Sequence, residues 1–203
     1  MDNRVPVRLT LVSASPRRRE LLKSLNIPFD VQPSDVSEKW LAADAVELAK
    51  MNARRKIERS RWFGDRSRLL IGADTLISLP GHVLGKPAGA DSARRMLNLL
   101  SGRRHNVITG ICLSGPSAEP EDSLIVHNDA DQTQVVFKRL SSGMIADYIR
   151  GGEWKGKAGA YAIQGEGRIL IERWEGNFDN VVGLPVELIH NAITRFFSHY
   201  RFL

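Results

Sequence analysis

Arg8-Leu9-Thr10-Leu11-Val12-Ser13-Ala14-Ser15-Pro16-Arg17-Arg18-Arg19 sets the reading of the whole chain. Arg8 to Val12 reads as a short strand, and Ser13-Ala14-Ser15 as a turn. Pro16 then stands at the first helical position, where its missing N–H costs nothing, with Ser15 as N-cap. The helix is expected to run to about Leu25, with Leu21, Leu22 and Leu25 on one face. Asn26 ends it, just before Pro28. The stretch is strand, turn and helix within about 18 residues.

The alternation continues outward. Phe29 to Trp40 reads as loop or short strand. A helix capped by Asp44 follows, with Val46, Ala49, Ala53 and Ile57 at helical period and Lys50, Arg54, Arg55, Lys56 and Arg59 on its other side. Leu69-Leu70-Ile71 is a buried strand that leads into Gly72-Ala73-Asp74-Thr75, and Leu76–Leu79 continues it. Pro80-Gly81 predicts a hairpin joining Leu76–Leu79 to His82–Leu84. Asp91 is expected to cap a helix striped by Ala93, Met96, Leu97 and Leu100 and ended by Gly102. Val107–Leu113 and Gln134–Lys138 read as strands, Ser141 as the cap of another helix, and Gly151–Gly167 as irregular. Ile169-Leu170-Ile171 reads as a strand, and Pro185 opens the last helix. Strands alternating with helices make the class α/β. The Gly115–Glu121 loop is the candidate divider between two lobes.

Composition narrows the function classes. The chain has 203 residues, 42% apolar and 26% charged, which suits one globular domain spanning 1–203. The net charge of +6 favours an anionic partner or reflects an indifferent basic surface. The single cysteine, Cys112, excludes an internal disulfide, and no zinc-type spacing of Cys and His occurs. The first dozen residues carry no signal-peptide pattern, and no apolar run approaches a membrane span. A reducing, cytoplasmic setting fits.

Four places carry candidate chemistry. A helix N-terminus presents unpaired N–H groups and a partial positive charge. Placing Arg17, Arg18 and Arg19 there is unfavourable unless an anion binds; otherwise the side chains fan outward or pair with Glu20. With Ser13 and Ser15, the turn would make a phosphate cradle. Asp74, where the buried strand is expected to emerge, is placed for metal or proton chemistry, or is a turn aspartate bonding its own backbone. Lys86, held extended by Pro87, is a point charge for phosphate or a solvated loop lysine. Ala158-Gly159-Ala160-Tyr161-Ala162-Ile163-Gln164-Gly165 permits close backbone approach, with Gln164 able to read a base edge, or is a tight core crossing. None of these fits a Walker A loop or a dinucleotide fingerprint.

Together with Leu100-Ser101-Gly102, Thr109-Gly110, Lys157 and Asn180-Val181-Val182-Gly183-Leu184-Pro185, these blocks resemble the Maf family, in family order over roughly residues 9–190. The resemblance implies an elongated mixed sheet flanked by helices, with two lobes and a central cleft, similar to inosine triphosphate pyrophosphatases. It implies hydrolysis of a nucleoside triphosphate to monophosphate and pyrophosphate with a divalent cation, Mg²⁺ or Mn²⁺. It gives catalytic roles to Asp74, Lys86, Arg17 and Arg18, and substrate contacts to Ser13, Ser15, Arg17, Arg18, Thr75, Lys86 and Gln164. Glu38 and Asp74 would hold the metal. Thr75, Gln164 and the complete Ser-Pro-Arg-Arg resemble the branch acting on dTTP and UTP, rather than the one acting on 7-methyl-GTP. A homodimer is a family-level expectation. One position departs: the family block Leu-Ala-x-x-Lys-Ala reads Leu48-Ala49-Lys50-Met51-Asn52-Ala53 here, with Asn52 for the lysine and Lys56 one turn on.

A non-catalytic role in nucleic-acid binding or division control is the reading from another class, motivated by the basic helix around Lys50 to Arg61. It would weaken steeply with salt. Nothing in the chain resembles an RNA or DNA recognition motif.

Overall fold

The computed structural model describes residues 4–34, 36, 44–117 and 123–203. The first expectation holds closely. Strand β1 (Val5–Val12) leads through the serine turn into helix α1 (Pro16–Leu22), whose last turn tightens into a 3-10 helix at Lys23–Leu25. Ser15 Oγ accepts from the Arg18 N–H, closing the cap. Asn26 ends the helix in the left-handed region, φ 53°, which its short polar side chain tolerates better than most.

The remaining elements are β2 (Phe29–Gln32), α2 (Ala45–Glu58), β3 (Arg68–Leu79), β4 (His82–Leu84), α3 (Ala90–Leu100), β5 (Arg104–Pro116) and β6 (Leu124–Phe137). They are followed by α4 (Ser142–Gly151), β7 (Ile171–Glu175), α5 (Phe178–Val182), α6 (Val186–Phe196) and β8 (Tyr200–Phe202). The sheet is mixed, in the order β2-β1-β3-β5-β6-β7, with β4 on β3 and β8 on β1. β1 runs parallel to β2, β3 and β8, whereas the β3/β4 and β6/β7 pairs are antiparallel. The α/β class is the one the alternation predicts, and a mixed sheet with helices beside it is what the family resemblance implies.

The chain divides into two units, one of Met1–Asp74, Thr109–Asp131 and Gly183–Leu203, the other of Thr75–Ile108 and Gln132–Val182. The Gly115–Glu121 loop is therefore no divider. It falls inside the first unit, and its residues 118–122 lie outside the described residues.

In the first unit, Leu9, Leu11, Leu69, Ile71, Ile111 and Leu113 of β1, β3 and β5 pack against Ile189 and Ile193 of α6 and Phe197 beyond it. The opposite side of the same strands puts Val12, Leu70 and Cys112 against Ala53 and Ile57 of α2. Two-sided burial explains why the strands read as nearly unbroken apolar runs. In the second unit, His105, Phe137 and Tyr161 meet edge to face, with centroids 4.7 to 5.6 Å apart.

Several boundaries move. Asp91 lies in the first turn of α3 and Gly89 is the N-cap, so the capping acid acts on the helix dipole instead. Gly165–Leu170 is a 3-10 helix and the strand starts only at Ile171. Ile169 is exposed and Leu170 is fully buried, a pattern that three apolar letters do not reveal.

Candidate functional site

Asp74 is not at a strand end. β3 continues unbroken to Leu79, and Asp74 is 1% exposed in the middle of it. The small and polar letters Gly72-Ala73-Asp74-Thr75 look like an exit from the sheet, but they mark the place where a helix comes close. A Cβ on Gly72 would sit 2.8 Å from the Ala53 carbonyl oxygen. One on Gly110 would sit 2.5 Å from both the Ala49 oxygen and the Lys50 nitrogen. Both distances are shorter than a carbon can hold against backbone, so glycine at these positions is what lets α2 lie directly on β3 and β5.

That approach brings two side chains of α2 onto the acid. Asn52 Nδ2 donates to Asp74 Oδ2 at 3.1 Å, and Lys56 Nζ donates to Asp74 Oδ1 and, at 3.1 Å, to the Ala73 carbonyl. Asn52 and Lys56 are 2% and 7% exposed. Lys56 therefore does not belong to the basic outer side of α2 with Lys50 and Arg54. It turns inward, because a buried carboxylate needs a cation far more than the solvent does. Lys50 and Arg54 pair with Glu47 and Glu58 on their own helix.

The serine turn is tied to the same strand. Arg18 Nη1 donates to the Ala73 carbonyl at 2.9 Å and to Ser13 Oγ at 3.4 Å, and Arg18 Nε donates to the Gly183 carbonyl at 2.7 Å. Ser13, itself buried, also accepts from the Ser15 N–H. Arg18 is thus a strap between three segments of the chain. Arg17 is partly exposed on the first turn of α1. In the first unit the fold therefore brings together Ser13, Ser15, Arg18 and Asp74, and adds Asn52 and Lys56.

Thr75, Lys86 and Gln164 belong to the second unit. Lys86 is exposed in the loop after β4, and that loop is anchored where the Gly159 N–H donates to the Gly85 carbonyl at 3.0 Å. Gly159 is left-handed, φ 64°, and Ala160 follows it there at φ 63°, a conformation that costs an L-residue roughly 1–2 kcal/mol. Gln164 is exposed at the start of the Gly165–Leu170 turn.

A clasp that the sequence did not announce holds this segment. Glu153 Oε2 accepts from the Tyr148 hydroxyl at 2.8 Å and from the Gly167 N–H at 2.7 Å, and Oε1 accepts from the Glu166 N–H at 3.1 Å. The Ala162 N–H donates to the Tyr148 oxygen at 3.3 Å. Burial and the adjacent carboxylate push the Tyr148 hydroxyl well above its ordinary value, so it stays a donor. No local pattern links an acid at 153 to a turn twelve residues on; the only sign was the glycine density that lets the backbone wrap a carboxylate.

Asn180 and Ser101 tie backbone segments together. Asn180, fully buried, donates to the Val107 carbonyl and to Thr133 Oγ1. Ser101 Oγ accepts from the Leu140 N–H. Glu38 lies outside the described residues. Among the described residues, no group of three or more His, Cys, Asp or Glu side chains is arranged to hold a metal ion.

A family model for Maf-like proteins matches residues 8–196. The chain is similar to a dTTP/UTP pyrophosphatase of Thermococcus onnurineus, at 43% identity over 89% of this chain and 94% of that one. It is also similar to proteins of the same description from Myxococcus xanthus, at 44% over 88% and 87%, and Moorella thermoacetica, at 41% over 93% and 95%. A solved HAM1 protein from Coxiella burnetii aligns with a TM-score of 0.45 and 13% identity, over 93% of this chain and 98% of that one. A family match across nearly the whole chain, with relatives above 40% identity, settles the grouping: the chain belongs to the Maf-like protein family.

Proposed function

We propose that this protein hydrolyses dTTP and UTP to the nucleoside monophosphate and pyrophosphate. The observation that carries the reading is the buried Asp74 carboxylate, bonded on both oxygens from α2 while Arg18 ties the serine turn to the adjacent Ala73. Relatives named dTTP/UTP pyrophosphatase support the choice of substrate.

In this reading water attacks the α-phosphorus in line. The new P–O bond forms as the α–β bridging bond breaks, and pyrophosphate leaves with the electron pair. Asp74 orients the water, either taking its proton as general base or standing as a ligand of the cation. Arg17, on the first turn of α1, binds phosphate oxygens. Ser13 and Ser15 shape that turn, and Arg18 holds it to the Ala73 carbonyl while lending its positive charge. Lys86 adds charge toward the leaving group, and Thr75 and Gln164 select the base.

The donor set fits a divalent cation of the Mg²⁺ type. Such ions take one or two carboxylates with substrate phosphates and water, rather than an all-protein cage. Asp74, which accepts from Asn52 and Lys56, would hold such an ion through its remaining lone pairs, with Glu38 as second ligand. When bound, the ion would neutralise phosphate charge. No helix among the described residues is long and apolar enough to cross a membrane, and the cytoplasm with its nucleotide pool is the proposed setting.

A panel of nucleoside triphosphates with Mg²⁺ tests this. Release of pyrophosphate and monophosphate from dTTP and UTP, at kcat/KM at least tenfold above the purine nucleotides, is expected. A preference for 7-methyl-GTP or a purine would overturn the assignment of Thr75 and Gln164. Turnover of no nucleotide would overturn the enzymatic reading.

A further inference from the structure

Positions 52 and 56 are one turn apart on α2 and face the same way, and each closes one oxygen of the same buried acid. The arrangement is built rather than incidental. The helix can reach the acid only because Gly72 and Gly110 remove the Cβ atoms that would hold it off. Lys56 also bonds the Ala73 carbonyl, so its ammonium is fixed by two acceptors on the strand that carries Asp74. A lysine that merely neutralised a buried charge would not need that second anchor, nor an amide on the other oxygen. Gripped at both oxygens, the carboxylate cannot rotate about its terminal torsion, which is otherwise broad.

We infer that Lys56 is the positioning residue of the reaction, fixing with Asn52 the orientation in which Asp74 meets the attacking water. The cation stands one turn beyond the place where the family block carries a lysine, and Asn52 takes the second oxygen. The inference rests on the reading of Asp74 given under Proposed function. Lys56 acts through Asp74 and touches no reacting atom, so its loss falls on kcat more than on KM.

The test uses the full chain and four variants: Lys56→Met, the relocation variant Asn52→Lys/Lys56→Met, Asp74→Asn and the double Lys56→Met/Asp74→Asn. Lys56→Met is expected to lose about 30-fold or more in kcat on dTTP, with KM changed less than threefold, as for an interaction realised mainly in the transition state. The relocation variant keeps a buried cation beside Asp74 and is expected to recover at least tenfold of that loss. A folded Lys56→Met protein with kcat within threefold of wild type overturns the inference. So does a folded relocation variant no faster than Lys56→Met, and this second comparison decides the matter if Lys56→Met does not fold. Melting temperatures give a readout free of turnover: Lys56→Met/Asp74→Asn is expected to melt above Lys56→Met, because it removes both members of the pair. Additive melting shifts would mean that Lys56 does not hold Asp74. A wild-type protein with no turnover would defeat the proposed reaction, and the melting cycle would still decide the pair.

Discussion

Asp74 carries its charge where water hardly reaches, and the chain answers with one cation, one amide and a strand carbonyl that fixes the cation. Breaking a buried ion pair from one side typically costs ~3–5 kcal/mol, because the remaining charge is stranded. For a chain of this size that is a fall in melting temperature on the order of 10 °C. Lys56→Met is therefore expected to melt about that far below wild type by circular dichroism, whereas Lys50→Met, on the exposed side of the same helix, is expected to shift by no more than about 2 °C. Equal shifts would mean that burial at Lys56 is not being felt. Both lysines fall in a run of basic letters, but helical spacing already puts Lys56 one turn beyond Asn52, able to reach the same face, and Lys50 on a different side. What separates them is which side of α2 lies on glycine. The Ser15 cap and the Pro16 start were legible, because their chemistry is local and needs no partner from elsewhere in the chain.

At the scale of elements, the strands are the instructive case. The first strand and helix, the helix after Asp44 and the hairpin at Pro80-Gly81 could be read directly, since each is signalled by a cap, a turn dipeptide or a regular period. Leu69–Ile71 and its continuation Leu76–Leu79 read as strand with a break between them, because a glycine, an alanine and two polar residues resemble an exit, whereas β3 runs through all of them. β6 was shortened for the same reason, since Asn128, Asp129, Asp131 and Gln132 lie within it. Polar letters inside a strand are affordable where another element supplies partners, and a single-sequence pattern does not contain those partners. The glycines give a test. Gly110→Ala must push α2 off the sheet, and overpacking against backbone costs ~1–3 kcal/mol or more. We expect Gly110→Ala to melt lower and to lose at least tenfold in kcat, since Asn52 and Lys56 ride on the displaced helix. Wild-type kcat in a folded Gly110→Ala protein would show that the close approach does not matter to the acid. The clasp on the 162–167 turn gives a second. Glu153→Ala removes the acceptor of two N–H groups and the tyrosine hydroxyl. It is expected to narrow the preference for dTTP over GTP by about tenfold, because the segment carrying Gln164 loosens, as an unmade set of hydrogen bonds worth ~1 kcal/mol each would allow. Loss of rate on both nucleotides without a change in their ratio would assign the clasp to folding alone.

For the molecule as a whole, acid stability follows from burial in the second unit. His105 is almost fully buried against Phe137 and Tyr161, and burial pushes its pKa down to about 4 from 6.5. Above pH 6.5 the ring is neutral folded or unfolded, and stability is complete. Between there and about pH 4 the unfolded chain binds the extra proton, so stability falls as the pH falls, by up to ~3 kcal/mol in total. His127, also lowered by burial, contributes with the same sign. Melting temperature measured from pH 7 to 4 is expected to drop, with a flatter slope in His105→Asn; an unchanged slope would mean that His105 takes its proton without unfolding. The family and the mixed α/β sheet were legible from motif blocks spread along the chain. The assignment of residues to two units was not, because each unit is assembled from segments far apart in sequence.

In the proposed reaction water, oriented by Asp74, attacks the α-phosphorus of a pyrimidine nucleoside triphosphate. The most direct measurement is hydrolysis of dTTP in ¹⁸O-labelled water, with the products read by mass spectrometry for wild type and Asp74→Asn. The expected products are dTMP carrying one ¹⁸O and unlabelled pyrophosphate, formed ~10²-fold or more slowly by the variant. Label in the pyrophosphate, release of orthophosphate instead, or a folded Asp74→Asn protein turning over at the wild-type rate would contradict it.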